Sequence, residues 1–164
     1  MFEIRGWIEK EVADLDKEEF RKLCENLFKK HGFIKRKRAF YFNGNADVIC
    51  SIYFQGSCYG GADYIACCFT SKPIHPDLQY PTYYETDMIA RITVPGKERL
   101  VNQQGPYETE MIKYGSYSAD EITVAIDKAM LEWILPAAQN GIPYIFSHWN
   151  RYERHILSNK IKRN

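Results

Sequence analysis

Between Ile34 and Ser71 the chain carries three successive stretches of strand character, separated by turn signals too short to hold a helix. A parallel pair needs a crossover of a dozen or more residues, so strands this close are expected to pair antiparallel. The first stretch, residues 34–42, is closed by Asn43-Gly44-Asn45, a strong hairpin signal. In the second, residues 47–55, Val48, Cys50, Ile52 and Phe54 share one face, and Ile49, Ser51, Tyr53 and Gln55 the other. In the third, residues 63–71, Tyr64, Ala66 and Cys68 alternate with Ile65, Cys67 and Phe69. A fourth strand is expected over 88–94, with a turn at Pro95-Gly96. Before it, residues 72–86 carry Pro73, Pro76 and Pro81 and read as an excursion over the surface, because Pro cannot donate to a ladder. Residues 102–115 show no clear period.

Helical patterns flank this run. Asp16 and Glu19 have capping-box spacing, and Phe20, Leu23, Cys24, Leu27 and Phe28 then form one apolar stripe, which predicts a helix over 17–31 ending at Gly32. Trp7 to Leu15 carries a weaker helical pattern. Ser118 and Glu121 open a second helix over 118–135, which Pro136 should end or kink. A last helix is expected over 143–158, with Pro143 in its first turn. Helix, run of strands, then helices is the order of an α+β fold rather than of a doubly wound one. The expectation is one domain over residues 1–164. Its antiparallel meander of about four to six strands carries helices on one face.

At 164 residues, 45% of them hydrophobic, the chain can bury a core without metals or disulfides. A net charge of +1 supplies no global field toward nucleic acid or anionic membrane. No apolar run approaches the ~20 residues that span a bilayer, the N-terminus lacks a secretory pattern, and the five Cys read as reduced thiols, so a cytoplasmic location is expected.

Few residues carry a chemical signature. Phosphate loops, G-x-G-x-x-G, G-x-S-x-G and H-E-x-x-H are all missing from the sequence. Cys58, in the Gly56–Gly61 loop, would be a nucleophile only if His75 approached it. Glu108 and Glu110 are a weak paired-carboxylate signal. His148 and His155 lie about two helical turns apart, too far to share one metal, so no metal or cofactor is expected. The run from Lys29 to Arg38 is basic, and Lys35, Arg36, Lys37 and Arg38 are the candidates for nucleic-acid contact. A basic edge strand is equally a guard against strand-to-strand aggregation.

The remaining feature is aromatic. The chain has 12 Tyr, and Tyr combines an apolar ring with a polar tip. Tyr53, Gln55, Tyr59, Tyr64, Tyr83 and Tyr84, joined by Tyr80 and Tyr107, are expected to lie on the sheet face opposite the helices and in its loops. They could form a binding surface there, or simply cover the sheet.

The segment Phe20 to Gly61 resembles the opening of a bacterial family known as domain of unknown function 4304. The resemblance rests on a helix ending in Gly32-Phe33, the basic Lys35–Arg38, the aromatic Phe40–Phe42, and a second strand leading through Ile52 to Ser57. Ile134-Leu135-Pro136 followed by a closing helix fits the layout, and Pro73–Glu85 departs from it. The resemblance implies an α+β fold and brings no assigned catalytic residues to carry over. A non-enzymatic module binding a protein or small ligand, in the manner of an immunity protein or antitoxin, is the leading expectation. A hydrolase built on Cys58 or a carboxylate is second and nucleic-acid binding third. An open sheet edge or Tyr face would also suit a homodimer.

Overall fold

In the computed structural model residues 15–44, 46–98 and 104–148 are described. Helix α1 spans Lys17–Lys30, and both halves of its capping box form between Asp16 and Glu19. Its buried stripe is Phe20, Cys24, Leu27 and Phe28. The chain then enters strands β1 (Ile34–Arg36), β2 (Ala39–Phe42), β3 (Val48–Gly56) and β4 (Ala62–Ser71). Next come β5 (Met88–Arg91), β6 (Val94–Pro95), β7 (Glu108–Thr109) and β8 (Ile112–Lys113). Helix α2 (Ala119–Ala129), a π-helical turn (Met130–Ile134), α3 (Leu135–Asn140) and α4 (Ile142–Ser147) follow.

The main sheet has six strands, ordered β1-β2-β3-β4-β5, with β8 also paired to β4. Every pairing is antiparallel. The fold is therefore α+β, as the spacing of the strands requires. One sheet face, with Val48, Cys50, Ile52, Ile65, Cys67 and Phe69, packs on the helices in a single core. Phe28 and Phe40 meet edge to face there, 5.1 Å between ring centres. Across that core His31 Nε2 lies 2.7 Å from Asp127 Oδ1, tying the end of α1 to α2.

Three expectations need correction. Residues 34–42 are not one strand: they form a hairpin in which Arg36 opposes Ala39 and Lys37 turns the chain at φ 55°. A positive φ usually selects Gly or Asn, so Lys at that position left no turn signal. The strand expected over 88–94 breaks after Arg91, and Val94–Pro95 pairs with β7 in a separate two-stranded ribbon. Pro136 does not end its helix. It sits in the first turn of α3, and the missing proline N–H is absorbed just upstream, where the Leu135 N–H reaches back five residues to the Met130 carbonyl. Of the expected helix over 143–158, α4 is the described part, and the rest, like the weak pattern over 7–15, falls largely outside the described residues.

Gly141, between α3 and α4, has φ 76°, and a Cβ there would lie 2.0 Å from Asp47 Oδ1. That carboxylate accepts from the Ile142 N–H at 2.8 Å, so the loop before β3 caps α4.

Candidate functional site

The second sheet face carries Ala39 and Tyr41 from β2, Ile49 and Tyr53 from β3, Tyr64, Ala66 and Cys68 from β4, and Arg91 from β5, placed by the register of β2 through β5. Among the described residues, the small cluster of Ala39, Tyr41, Ile49 and Tyr53 on this face draws on strands alone. The Pro-rich segment between β4 and β5 crosses this face as a strap, and Pro81 is the one buried residue between Lys72 and Thr86. The Tyr41 hydroxyl donates to the Pro81 carbonyl at 2.9 Å, and the Tyr53 hydroxyl donates to the same oxygen. Tyr80 packs edge-on against Tyr41, and Tyr83 against Tyr53, with ring centres 5.2 and 5.9 Å apart. Burial pushes the phenols of Tyr41 and Tyr53 up, so both act as neutral donors.

At its far end the strap is fastened by Asp87. Its Oδ2 accepts from the Ser71 N–H at 2.8 Å and its Oδ1 lies 2.9 Å from His75 Nε2. Thr82 and Glu85 close a capping box around the short 3-10 turn Tyr83–Glu85, and hydrogen bonds from Thr82 hold the Glu85 carboxyl below its usual range.

Beyond the strap, the end of the face near Gly56 stays half-exposed. Gln55 opposes Tyr64 across the β3–β4 ladder. The Arg91 guanidinium lies 4.3 Å over the Tyr64 ring, donates to Gln55 Oε1 at 3.2 Å and faces Glu110 Oε2 at 3.5 Å. A cation on an aromatic face that is also hydrogen-bonded is held in one orientation, and Arg does this better than Lys because its fork is planar. The result is a patch of one aromatic ring, one amide and one oriented cation.

The expected binding residues therefore divide. Tyr53 and Tyr83 sit at the strap contact, Gln55 and Tyr64 in the Arg91 patch. Tyr59 and Tyr84 are 94% and 92% exposed. Tyr84 packs on Tyr83, with ring centres 5.3 Å apart, while Tyr59 lies in the loop after β3. Tyr107 belongs elsewhere, in the β6–β7 ribbon, where its hydroxyl donates to the Glu98 carbonyl. Arg91 was missed because its only sequence signal is a lone charge inside an apolar strand.

The basic run is largely engaged. Lys29 and Lys35 both pair with Glu25, at 3.3 and 3.0 Å, and Lys30 with Asp127 at 3.5 Å. Arg36 donates to the Tyr80 hydroxyl at 2.9 Å and stacks on its ring. Lys37 and Arg38, at the hairpin tip, make no ion pair among the described residues.

Cys58 and His75 are not brought together. Cys58 precedes β4 and His75 follows it, so the ten-residue strand separates them by roughly 30 Å. Cys58 is exposed and the other four thiols are buried, Cys50 and Cys67 with sulfurs 3.6 Å apart in the core. Burial pushes the Cys68 thiol up to about 12, far from thiolate chemistry. Glu108 and Glu110 diverge: Glu110 faces Arg91, while Glu108 lines a groove on the helical side. His148 stacks on Tyr144, and His155 lies outside the described residues. Among the described residues no group of three or more His, Cys, Asp or Glu is placed to hold a metal, and no helix is long and apolar enough to cross a membrane.

That groove, of about 500 Å³, separates α2 and the π turn from β6 and β7. Sequence reading did not anticipate it, because it depends on where the ribbon lands.

With sheet, strap and helices in place, the family profile described as Domain of unknown function (DUF4304) matches residues 24–136. The chain belongs to this family. The match takes in α1 from Cys24 onward, the whole six-stranded sheet and the strap, and runs through the π turn to Pro136. The Pro73–Glu85 segment, expected to depart from the DUF4304 layout, thus lies within the matched span. No curated protein and no solved structure matches the chain.

Proposed function

We propose that this DUF4304 protein is a non-enzymatic binding module and that the Arg91 patch, with the neighbouring strap tyrosines, is its recognition surface. One observation carries the reading. Arg91 is oriented by Tyr64, Gln55 and Glu110 at the half-exposed end of the sheet face opposite the one that packs on the described helices. Holding an arginine in one geometry before a partner arrives lowers the ordering cost of binding, and Tyr and Arg are the side chains that contribute most at such contacts. An acidic or hydrogen-bond-accepting group on a protein or small ligand is the chemistry this patch takes, with Glu110 as the carboxylate it displaces or mimics. An immunity- or antitoxin-like role in the cytoplasm is one form of this reading.

The roughly 30 Å between Cys58 and His75 removes the support for a thiol hydrolase, and the pairing of Lys29, Lys30 and Lys35 with carboxylates weakens the case for nucleic acid. The test is capture of a partner from nuclease-treated lysate by the wild type and by Arg91→Ala. A partner held by the wild type and lost from Arg91→Ala, with both proteins equally folded by circular dichroism, supports the proposal. Equal capture by both removes the patch from the account.

A further inference from the structure

The groove on the helical side does not belong to the Arg91 patch, and its volume of about 500 Å³ is that of a small-ligand site. Its floor is apolar, built from the buried Ala125, Ala129 and Trp133, and Val124 on the wall is 66% exposed. The charges lie at its exposed rim. Asp120 and Glu132 mark the two ends of the helical wall, roughly 18 Å apart for twelve residues of helix, and Glu108 lines the groove from β7. Among the described residues none of these three carboxylates forms an ion pair. The fourth carboxylate of the lining, Glu121, is held by Lys97. Lys128, one turn from Glu132, is the single cation of the lining.

We propose that this groove binds a linear aliphatic polyamine, a ligand whose amines are joined by apolar methylene segments. Three features of the lining select it: separated carboxylates, an apolar floor between them, and a length that an extended polyamine matches. The methylene segments cover Ala125 and Ala129, the terminal ammonium groups reach Asp120 and Glu132, and Glu108 serves an internal amine. An isolated surface ion pair contributes little, but one flexible polycation that meets several carboxylates at once adds their contributions through a high effective concentration. A divalent metal is a poorer match, because its oxygen ligands must converge to roughly 2.0–2.6 Å and Asp120 and Glu132 stand far apart along the helix. Lys128 opposes a cationic ligand at short range, so its removal has a predictable sign.

Isothermal titration of the full chain with spermine at low salt tests this, with putrescine and Mg²⁺ as comparisons. One spermine should bind per chain, at least tenfold more tightly than putrescine, which is too short to bridge Asp120 and Glu132. Asp120→Asn/Glu132→Gln should weaken spermine at least tenfold, and Lys128→Gln should tighten it several-fold. All three positions are exposed, and a folding defect does not produce opposite signs. Spermine binding should also fade at 1 M salt, where the Debye length is about 3 Å. No spermine binding would overturn the proposal, as would binding that neither variant changes, which would put the polycation elsewhere. Putrescine or Mg²⁺ binding as tightly as spermine would reduce the site to diffuse charge and overturn it too. An amphipathic Lys/Leu helical peptide bound at Asp120 and Glu132, with spermine giving no heat, would assign the groove to a protein partner instead.

Discussion

Asp63 is the most demanding residue of the structure. Its carboxylate is fully buried on the helix-facing side of β4 and is met by Arg21 of α1, with Nε and Nη2 each 2.8 Å from one oxygen. Burial of Tyr114, and then its hydrogen bond to the same carboxylate, raise that phenol to about 12. Removing one partner of such a pair leaves a charge buried without compensation, which costs more than the pair itself contributes. Arg21→Ala should therefore lower unfolding stability by about 3 kcal/mol in a denaturant titration. A loss no greater than that of an exposed lysine such as Lys22→Ala would show that Asp63 has other means of support. The thiols give a second test at this scale: one Cys, Cys58, should react with a thiol reagent in the native protein, and the four buried ones only after unfolding. Two fast thiols in native buffer would contradict the packing described for β3 and β4. Neither Asp63 nor Arg21 was singled out from the sequence, because a charge at a strand position acquires meaning only when a helix 42 residues away brings its counterpart over it.

Among the elements, α1, the capping boxes Asp16–Glu19 and Ser118–Glu121 that open α1 and α2, and the alternation of β3 and β4 were legible in the sequence, since each is written in spacings of two to four residues. The strap was legible only as a loop. What places it is the meeting of Tyr41, Tyr53 and Pro81, which lie far apart in the chain. Tyr41→Phe and Tyr53→Phe should each cost about 1 kcal/mol and together speed proteolytic cleavage within residues 72–86. Unchanged cleavage in the double variant would mean that ring packing alone holds the strap. The α1–α2 contact predicts a pH dependence. Burial works against the charge of Asp127, yet the His31 hydrogen bond and the nearby Lys30 outweigh it and hold the carboxyl below its usual range. A depressed folded-state pKa adds stability above the unfolded value of about 3.9, and that stability is lost as pH falls through the folded value. Asp127→Asn should thus be less stable than the wild type near neutral pH, and the two should converge as pH falls through the depressed folded-state value. Parallel stability curves across that range would contradict the assignment.

For the whole molecule, the α+β class followed from strands too close in sequence for crossovers. The candidate surface followed less completely. The Tyr surplus and the strand alternation placed Tyr53, Gln55, Tyr64 and Tyr83 on this face or its strap, but Arg91, which organises Gln55 and Tyr64, and the acidic groove both depend on tertiary placement. The two sides of the molecule now have distinct chemistry, an oriented cation among aromatic rings on the sheet and carboxylates around an apolar floor beside α2. The sheet side makes the central claim.

That claim is tested most directly by capturing partners from nuclease-treated lysate with three forms of the full chain: wild type, Tyr64→Ala/Arg91→Ala, and the hairpin-tip control Lys37→Ala/Arg38→Ala. A recognition surface at Arg91 predicts a stoichiometric partner on the wild type and the tip control, reduced at least tenfold on the face variant. A partner retained by the face variant and lost from the tip control would contradict it and move recognition to the basic hairpin.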